Sequence, residues 1–119
     1  MRISIIIPVY NGAKTLNRCL QSVVAQNFED YQVIIVNDGS TDDTLAMADE
    51  WISRDSRFQV FSQKRCGPGM ARNVGLTLAS GEYVVYMDAD DYWVRDDILQ
   101  RLSEKIEEDP ADVYMYQIV

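Results

Sequence analysis

Short β-branched apolar runs alternate along this chain with stretches whose apolar residues recur every three or four positions, and that alternation leaves few folds open. The runs are Arg2 to Val9, Tyr31 to Asn37, Phe58 to Ser62, Tyr83 to Asp88 and Asp112 to Val119. Runs of this length and type read as strands, and the first, second and fourth are predicted to be buried on both faces. Between them lie four helical stripes: Leu16, Cys19, Leu20, Val23 and Val24; Leu45, Ala48 and Ile52; Met70, Ala71, Val74 and Leu78; and Ile98, Leu99, Leu102 and Ile106. Ser40 and Thr41, followed by Asp42 and Asp43, predict an N-cap and first-turn acid for the second helix; Gly81 follows the third and Pro110 the fourth. Strict alternation of this kind predicts an α/β fold: a Rossmann-like, mostly parallel sheet with helices on both faces and right-handed crossovers.

Composition narrows the partners. With 119 residues, 47% hydrophobic and 25% charged, residues 1–119 read as a single domain. Eleven basic residues against 19 acidic ones, with no His, give a net charge of -8, and no basic run exists to track a nucleic-acid backbone. An acidic chain can still hold an anionic phosphate if a divalent cation lies between carboxylate and phosphate, because the ion reverses the local sign. Cys19 and Cys66 make neither a disulfide framework nor a metal-ligand pair, so a reducing compartment is expected. The N-terminal apolar run is too short for a signal segment and no stretch is long enough to cross a bilayer, which points to the cytosol, at most with peripheral association at the inner membrane face. Val113 to Val119 stops without turn, cap or polar tail, so the sequence reads as one cut short.

In open parallel sheets, ligands bind beyond the carboxyl ends of the strands, where strand order reverses. The first strand is followed there by Pro8-Val9-Tyr10-Asn11-Gly12, the second by Asn37-Asp38-Gly39-Ser40-Thr41-Asp42, and the fourth by Asp88-Ala89-Asp90-Asp91. Carboxylates crowded on a turn repel one another, and Mg²⁺ or Mn²⁺ bound by one or two of them together with substrate phosphates relieves that repulsion. Asp88 and Asp90 are therefore candidate metal ligands, with Ala89 between them. Asp also favours turns and caps, and Asp91, Asp96 and Asp97 are read as a solvated loop and helix start. Asp38 could accept a hydrogen bond from a ligand N–H such as the imide of uracil, in a cleft that Tyr10 closes by stacking; the plainer alternatives are a turn and a packing residue. Arg72, near the start of the third helix, lies either on the surface or in the cleft, where it would neutralise ligand or pair with a carboxylate. The Gly67-Pro68-Gly69 turn is not a dinucleotide fingerprint, since a third glycine would have to stand at Arg72, and no Walker A motif is present.

Taken together, Ser4-Ile5-Ile6-Ile7-Pro8-Val9-Tyr10-Asn11, Val36-Asn37-Asp38-Gly39-Ser40-Thr41-Asp42, Gly67 with Ala71-Arg72-Asn73-Val74-Gly75, and Met87-Asp88-Ala89-Asp90-Asp91 resemble the family-2 inverting glycosyltransferases of the GT-A fold over nearly the whole chain. The resemblance implies that Pro8, Val9 and Tyr10 line a uracil and that Asp38 bonds its imide. It further implies Arg72 beside the base, Asp88 near the ribose, Ala89 at the nucleotide, Asp90 as the ligand of a Mn²⁺ or Mg²⁺ ion on the diphosphate, and Asn11 as a secondary contact. The implied reaction is transfer of a hexosyl or N-acetylhexosaminyl group from a nucleotide sugar, UDP above others, to a hydroxyl on a glycan or lipid-linked acceptor in polysaccharide or glycoconjugate synthesis. Inversion needs a general base near that hydroxyl. In the family the base comes after the Asp-x-Asp strand, so no catalytic base is expected within these residues, and they should bind a donor without turnover. Two rivals predict otherwise: a Mg²⁺-binding receiver domain, which would want paired acids where Pro8-Val9-Tyr10 stands, and a non-catalytic scaffold of the same fold.

Overall fold

The computed structural model describes residues 2–108. It contains β1 (Ile3–Val9), α1 (Leu16–Val24), β2 (Tyr31–Asp38), α2 (Thr44–Arg54), β3 (Phe58–Gln63), α3 (Pro68–Leu78), β4 (Tyr83–Tyr86) and α4 (Ile98–Glu108). The four strands form one parallel sheet in the order β3-β2-β1-β4. Successive strands thus grow outward from β1 to β3, and the chain then crosses back to place β4 on the other side of β1. Strand order reverses between β1 and β4, which is the position where a ligand cleft opens at the carboxyl ends. The predicted run Asp112 to Val119 and Pro110 lie outside the described residues.

Alternation of side chains along β1 and β2 divides the core between the two sheet faces. Ile3, Ile5, Ile7 and Val9, with Val33 and Ile35, pack against α1, α2 and α4 in the larger cluster. Ile6, Ile34 and Val36 face the other way, against Ala71, Val74 and Leu78 of α3. Helices therefore cover both faces, as the alternation predicts. Gly75 lets α3 come close: a Cβ there would overlap the side chain of Ile6.

Several local expectations are corrected. β4 is not buried on both faces; Tyr83 to Val85 are half-buried and Tyr86 is exposed, because β4 is the outermost strand among the described residues. Val24, Leu45 and Met70 are exposed although they fit the helical stripes, whereas Trp51 is buried, stacking on Phe58 and donating its indole N–H to Asn17. The second helix begins at Thr44, later than Ser40 and Thr41 suggest, and has no acid in its first turn. Asp42 instead accepts hydrogen bonds from the backbone N–H and hydroxyl of Thr44 just ahead of the helix. No helix among the described residues is long and apolar enough to cross a membrane.

Candidate functional site

Loops leaving the carboxyl edge of the sheet build the site, and Asn11 joins two of them. Its backbone is left-handed (φ 50°), a conformation that Asn tolerates better than most residues. Its side-chain oxygen accepts from the N–H groups of Thr41 (2.7 Å) and Asp42 (3.3 Å), and its own N–H donates to the Ser40 hydroxyl at 2.9 Å. Asn11 thus locks the β1 exit to the β2 exit, and Tyr10 beside it stays exposed.

Asp38, at the end of β2, is almost fully buried, with 2% of its surface accessible. One carboxylate oxygen accepts from Gln63 Nε2 (3.0 Å) and the Cys66 N–H (2.8 Å); the other accepts from the Gly67 N–H (2.9 Å) and faces Arg65 Nη1 at 3.6 Å. Burial by itself would raise its pKa, but the hydrogen bonds from Gln63, Cys66 and Gly67, together with the Arg65 charge, hold it below the ordinary carboxylate value. Gly39, at φ 74°, permits this approach, since a Cβ there would stand 2.8 Å from the Arg65 nitrogen.

A cavity of about 190 Å³ opens over these groups, lined by Pro8, Val9, Tyr10, Asp38, Arg65, Pro68 and Asp88. Asp88 belongs at once to this cavity and to an exposed cluster in which one carboxylate oxygen each from Asp88, Asp90 and Asp91 lie within 4.8 Å of one another. A turn in which the Asp91 N–H donates to the Asp88 carbonyl (3.0 Å) brings the third acid back. The pKa of Asp91 is raised, first by burial and then by the negative charges of Asp90 and Asp88. Hard carboxylate oxygens under mutual repulsion are the donor set that suits Mg²⁺ or Mn²⁺. Arg72 reaches Asp88 at 3.4 Å, and both side chains are well exposed, so the pair adds little stability by itself. The acidic loop rests on α1: Arg18 covers the Tyr92 ring at 4.3 Å, and the Cys19 thiol points at the Asp88 carbonyl at 3.7 Å. Asp90 and Asp91 also border a second recess of about 270 Å³ with Tyr86, Tyr92, Trp93 and Val94.

The structure therefore gathers Pro8, Val9, Tyr10, Asp38 and Asp88 in one cavity, with Arg72 and Asp90 reached through Asp88. Asn11 serves the joint behind it, and Ala89 turns its methyl group into the core. Sequence reasoning missed Arg65, Pro68 and Asp91. Asp91 looked like loop solvation, and the first two follow β3, whose exit lies away from the order reversal. Nothing in the sequence marks these two, because their place at the site follows from β3 lying beside β2, which brings the segment after β3 to Asp38.

The model for glycosyl transferase family 2 matches residues 4–119. Glycosyltransferase GlyA of Streptococcus pneumoniae serotype 4 is 38% identical over 112 residues, 94% of this chain and 16% of that protein. The crystal structure of S. aureus TarS 1-349 in complex with UDP-GlcNAc is similar with a TM-score of 0.83 and 30% identity, covering 97% of this chain and 37% of that one. Mannosyltransferase PcManGT from Pyrobaculum calidifontis, in complex with GDP-Man and Mn²⁺, gives a TM-score of 0.84 at 28% identity, over 91% of this chain and 32% of that one. The chain thus spans well under half the length of each of these relatives.

Proposed function

The chain belongs to glycosyl transferase family 2, and from that premise we propose that residues 1–119 form the donor-binding part of an inverting, divalent-metal-dependent glycosyltransferase. The donor is a nucleotide sugar, UDP-linked in preference, carrying a hexosyl or N-acetylhexosaminyl group. The acceptor is a hydroxyl of a glycan or lipid-linked chain in polysaccharide or glycoconjugate synthesis, on the cytoplasmic side of a membrane. One observation carries the reading: Asp88 lines a cavity with Tyr10 and Asp38 and also stands in a cluster of three carboxylates. A recess lined by Tyr10 and Asp38 and a cation site share a residue, as a nucleoside diphosphate bound through a metal ion requires.

In this reading Pro8, Val9 and Tyr10 form the apolar floor and side of the base site, and Asp38 accepts from the base imide. Arg72 holds Asp88 toward the sugar of the nucleoside, and Asp90, Asp88 and Asp91 hold Mn²⁺ or Mg²⁺. Bound there, the ion would offset the charge that develops on the departing diphosphate. Support for the metal comes from the carboxylate chemistry and from the Mn²⁺ in the similar mannosyltransferase complex. Support for the donor comes from the UDP-GlcNAc and GDP-Man held by similar structures. In this reading the 119 residues by themselves bind nucleotide without transferring sugar.

Calorimetric titration of UDP into the chain, with Mn²⁺ and then with a chelator, tests this. Binding should require the ion, and Asp90→Ala should weaken it by more than the roughly 10- to 100-fold typical of losing an outer-shell partner, with an unchanged circular dichroism spectrum. Equal affinity in chelator would sink the metal role.

A further inference from the structure

The Arg65 side chain stands where the proposed nucleobase would go. Its guanidinium carbon lies 3.3 Å from the centre of the Tyr10 ring, so the plane rests directly on that ring and no second planar group fits between them. The same guanidinium faces the buried Asp38 carboxylate at 3.6 Å. A carboxylate offers about four acceptor directions. Three are taken at Asp38, by Gln63, Cys66 and Gly67, and the oxygen that Gly67 contacts keeps one, with Arg65 Nη1 3.6 Å away from that oxygen. A base that stacked on Tyr10 and donated its imide N–H to Asp38 would need both of the positions that Arg65 fills.

We infer that Arg65 is a built-in occupant of the base site, and that a nucleotide enters by displacing its guanidinium from Tyr10 and Asp38. This inference rests on the donor-site reading above. Arg65 resembles a base in two respects: its guanidinium is planar and stacks on Tyr10, and one of its nitrogens stands 3.6 Å from the carboxylate. Its backbone is fixed against Gly39, whereas its side chain is 51% exposed and can swing into solvent without opening the core. Occupation keeps the buried Asp38 charge compensated while the site holds no nucleotide, and it lowers affinity by the free energy of the contact that must be broken. Arg65 thereby sets the affinity for any planar base, and bases that offer a better donor to Asp38 displace it more readily.

The test compares the unaltered chain with Arg65→Ala and Arg65→Met, the latter retaining the apolar stem. Uridine, which has no phosphate, is titrated alongside UDP with Mn²⁺, so that loss of a cation near the diphosphate does not mask the effect. Both variants should bind uridine about two- to fivefold more tightly, the range that an exposed cation–π contact represents. The Arg65 Nε–H resonance, shifted by the Tyr10 ring, should move toward its solvent-exposed position as UDP saturates the unaltered chain. Uridine binding that is unchanged or weaker in the variants, or an Arg65 resonance unmoved at saturation, would overturn the inference while leaving the donor site standing. Absence of UDP binding in all three proteins would overturn the donor site itself.

Discussion

A carboxylate as deeply buried as Asp38 is tolerated only because each oxygen is answered by N–H groups, and its energetics follow from that. Asp38→Asn replaces one acceptor oxygen with an NH₂ group facing the Gly67 N–H, and urea unfolding should show a loss of about 1–3 kcal/mol. The pH dependence has a definite sign. Because the folded-state pKa of Asp38 lies below its unfolded value, its contribution is complete above the ordinary carboxylate range and is lost as pH falls through the depressed value. The unaltered chain should therefore lose stability more steeply on acidification than Asp38→Asn does; parallel stability curves for the two would refute this. Asp38 was legible in the sequence as a carboxylate at a strand end, but the hydrogen bonds that bury it come from Gln63, Cys66 and Gly67, at least 25 positions away.

Among the elements, α3 shows how closeness to the sheet is decided by small residues. Ala71 and Gly75 are its buried positions, and Gly75 faces Ile6 with no room for a methyl group. Gly75→Ala would gain about 1 kcal/mol of intrinsic helix propensity but must push α3 away from β1, an overpacking cost of about 1–3 kcal/mol. The net effect should be a lower midpoint in urea unfolding with little change in slope; a raised midpoint would mean that α3 is free to shift. The helical spacing of Met70, Ala71, Val74 and Leu78 located this helix, yet the stripe included Met70, which is exposed. Spacing gives a face, whereas the depth of each position depends on how far the opposing sheet extends.

For the molecule as a whole, the two thiols report separate depths. Cys66 is exposed, while Cys19 is fully buried under the acidic loop. Burial, followed by the charges of Asp91, Asp90 and Asp88, pushes the Cys19 pKa up to about 12. A disulfide reagent at pH 8 should consume one thiol at once and the second only at the rate at which the molecule opens, so added urea accelerates the second phase alone. Two equivalents reacting together would show that α1 does not remain packed beneath the loop. The acidic cluster is assembled at the same scale, since Asp88, Asp90 and Asp91 are held by a loop that leans on Arg18 and Cys19 of α1.

Local order by itself determined that strands and helices alternate, that the sheet is parallel, and that loops rich in aromatic, amide and acidic residues follow β1, β2 and β4. Each of these is a property of neighbouring residues: period, branching and turn composition. Tertiary structure alone decided that β4 lies at the margin of the described sheet, that Asp91 rejoins Asp88 and Asp90, and that Arg65 lies on Tyr10. The reason is topological. Because β2 lies beside β3 in the order β3-β2-β1-β4, the segment after β3 passes the end of β2, where Cys66 and Gly67 donate to Asp38 and the Arg65 side chain reaches Tyr10, and no periodicity in the chain records which side chains it lays down along the way.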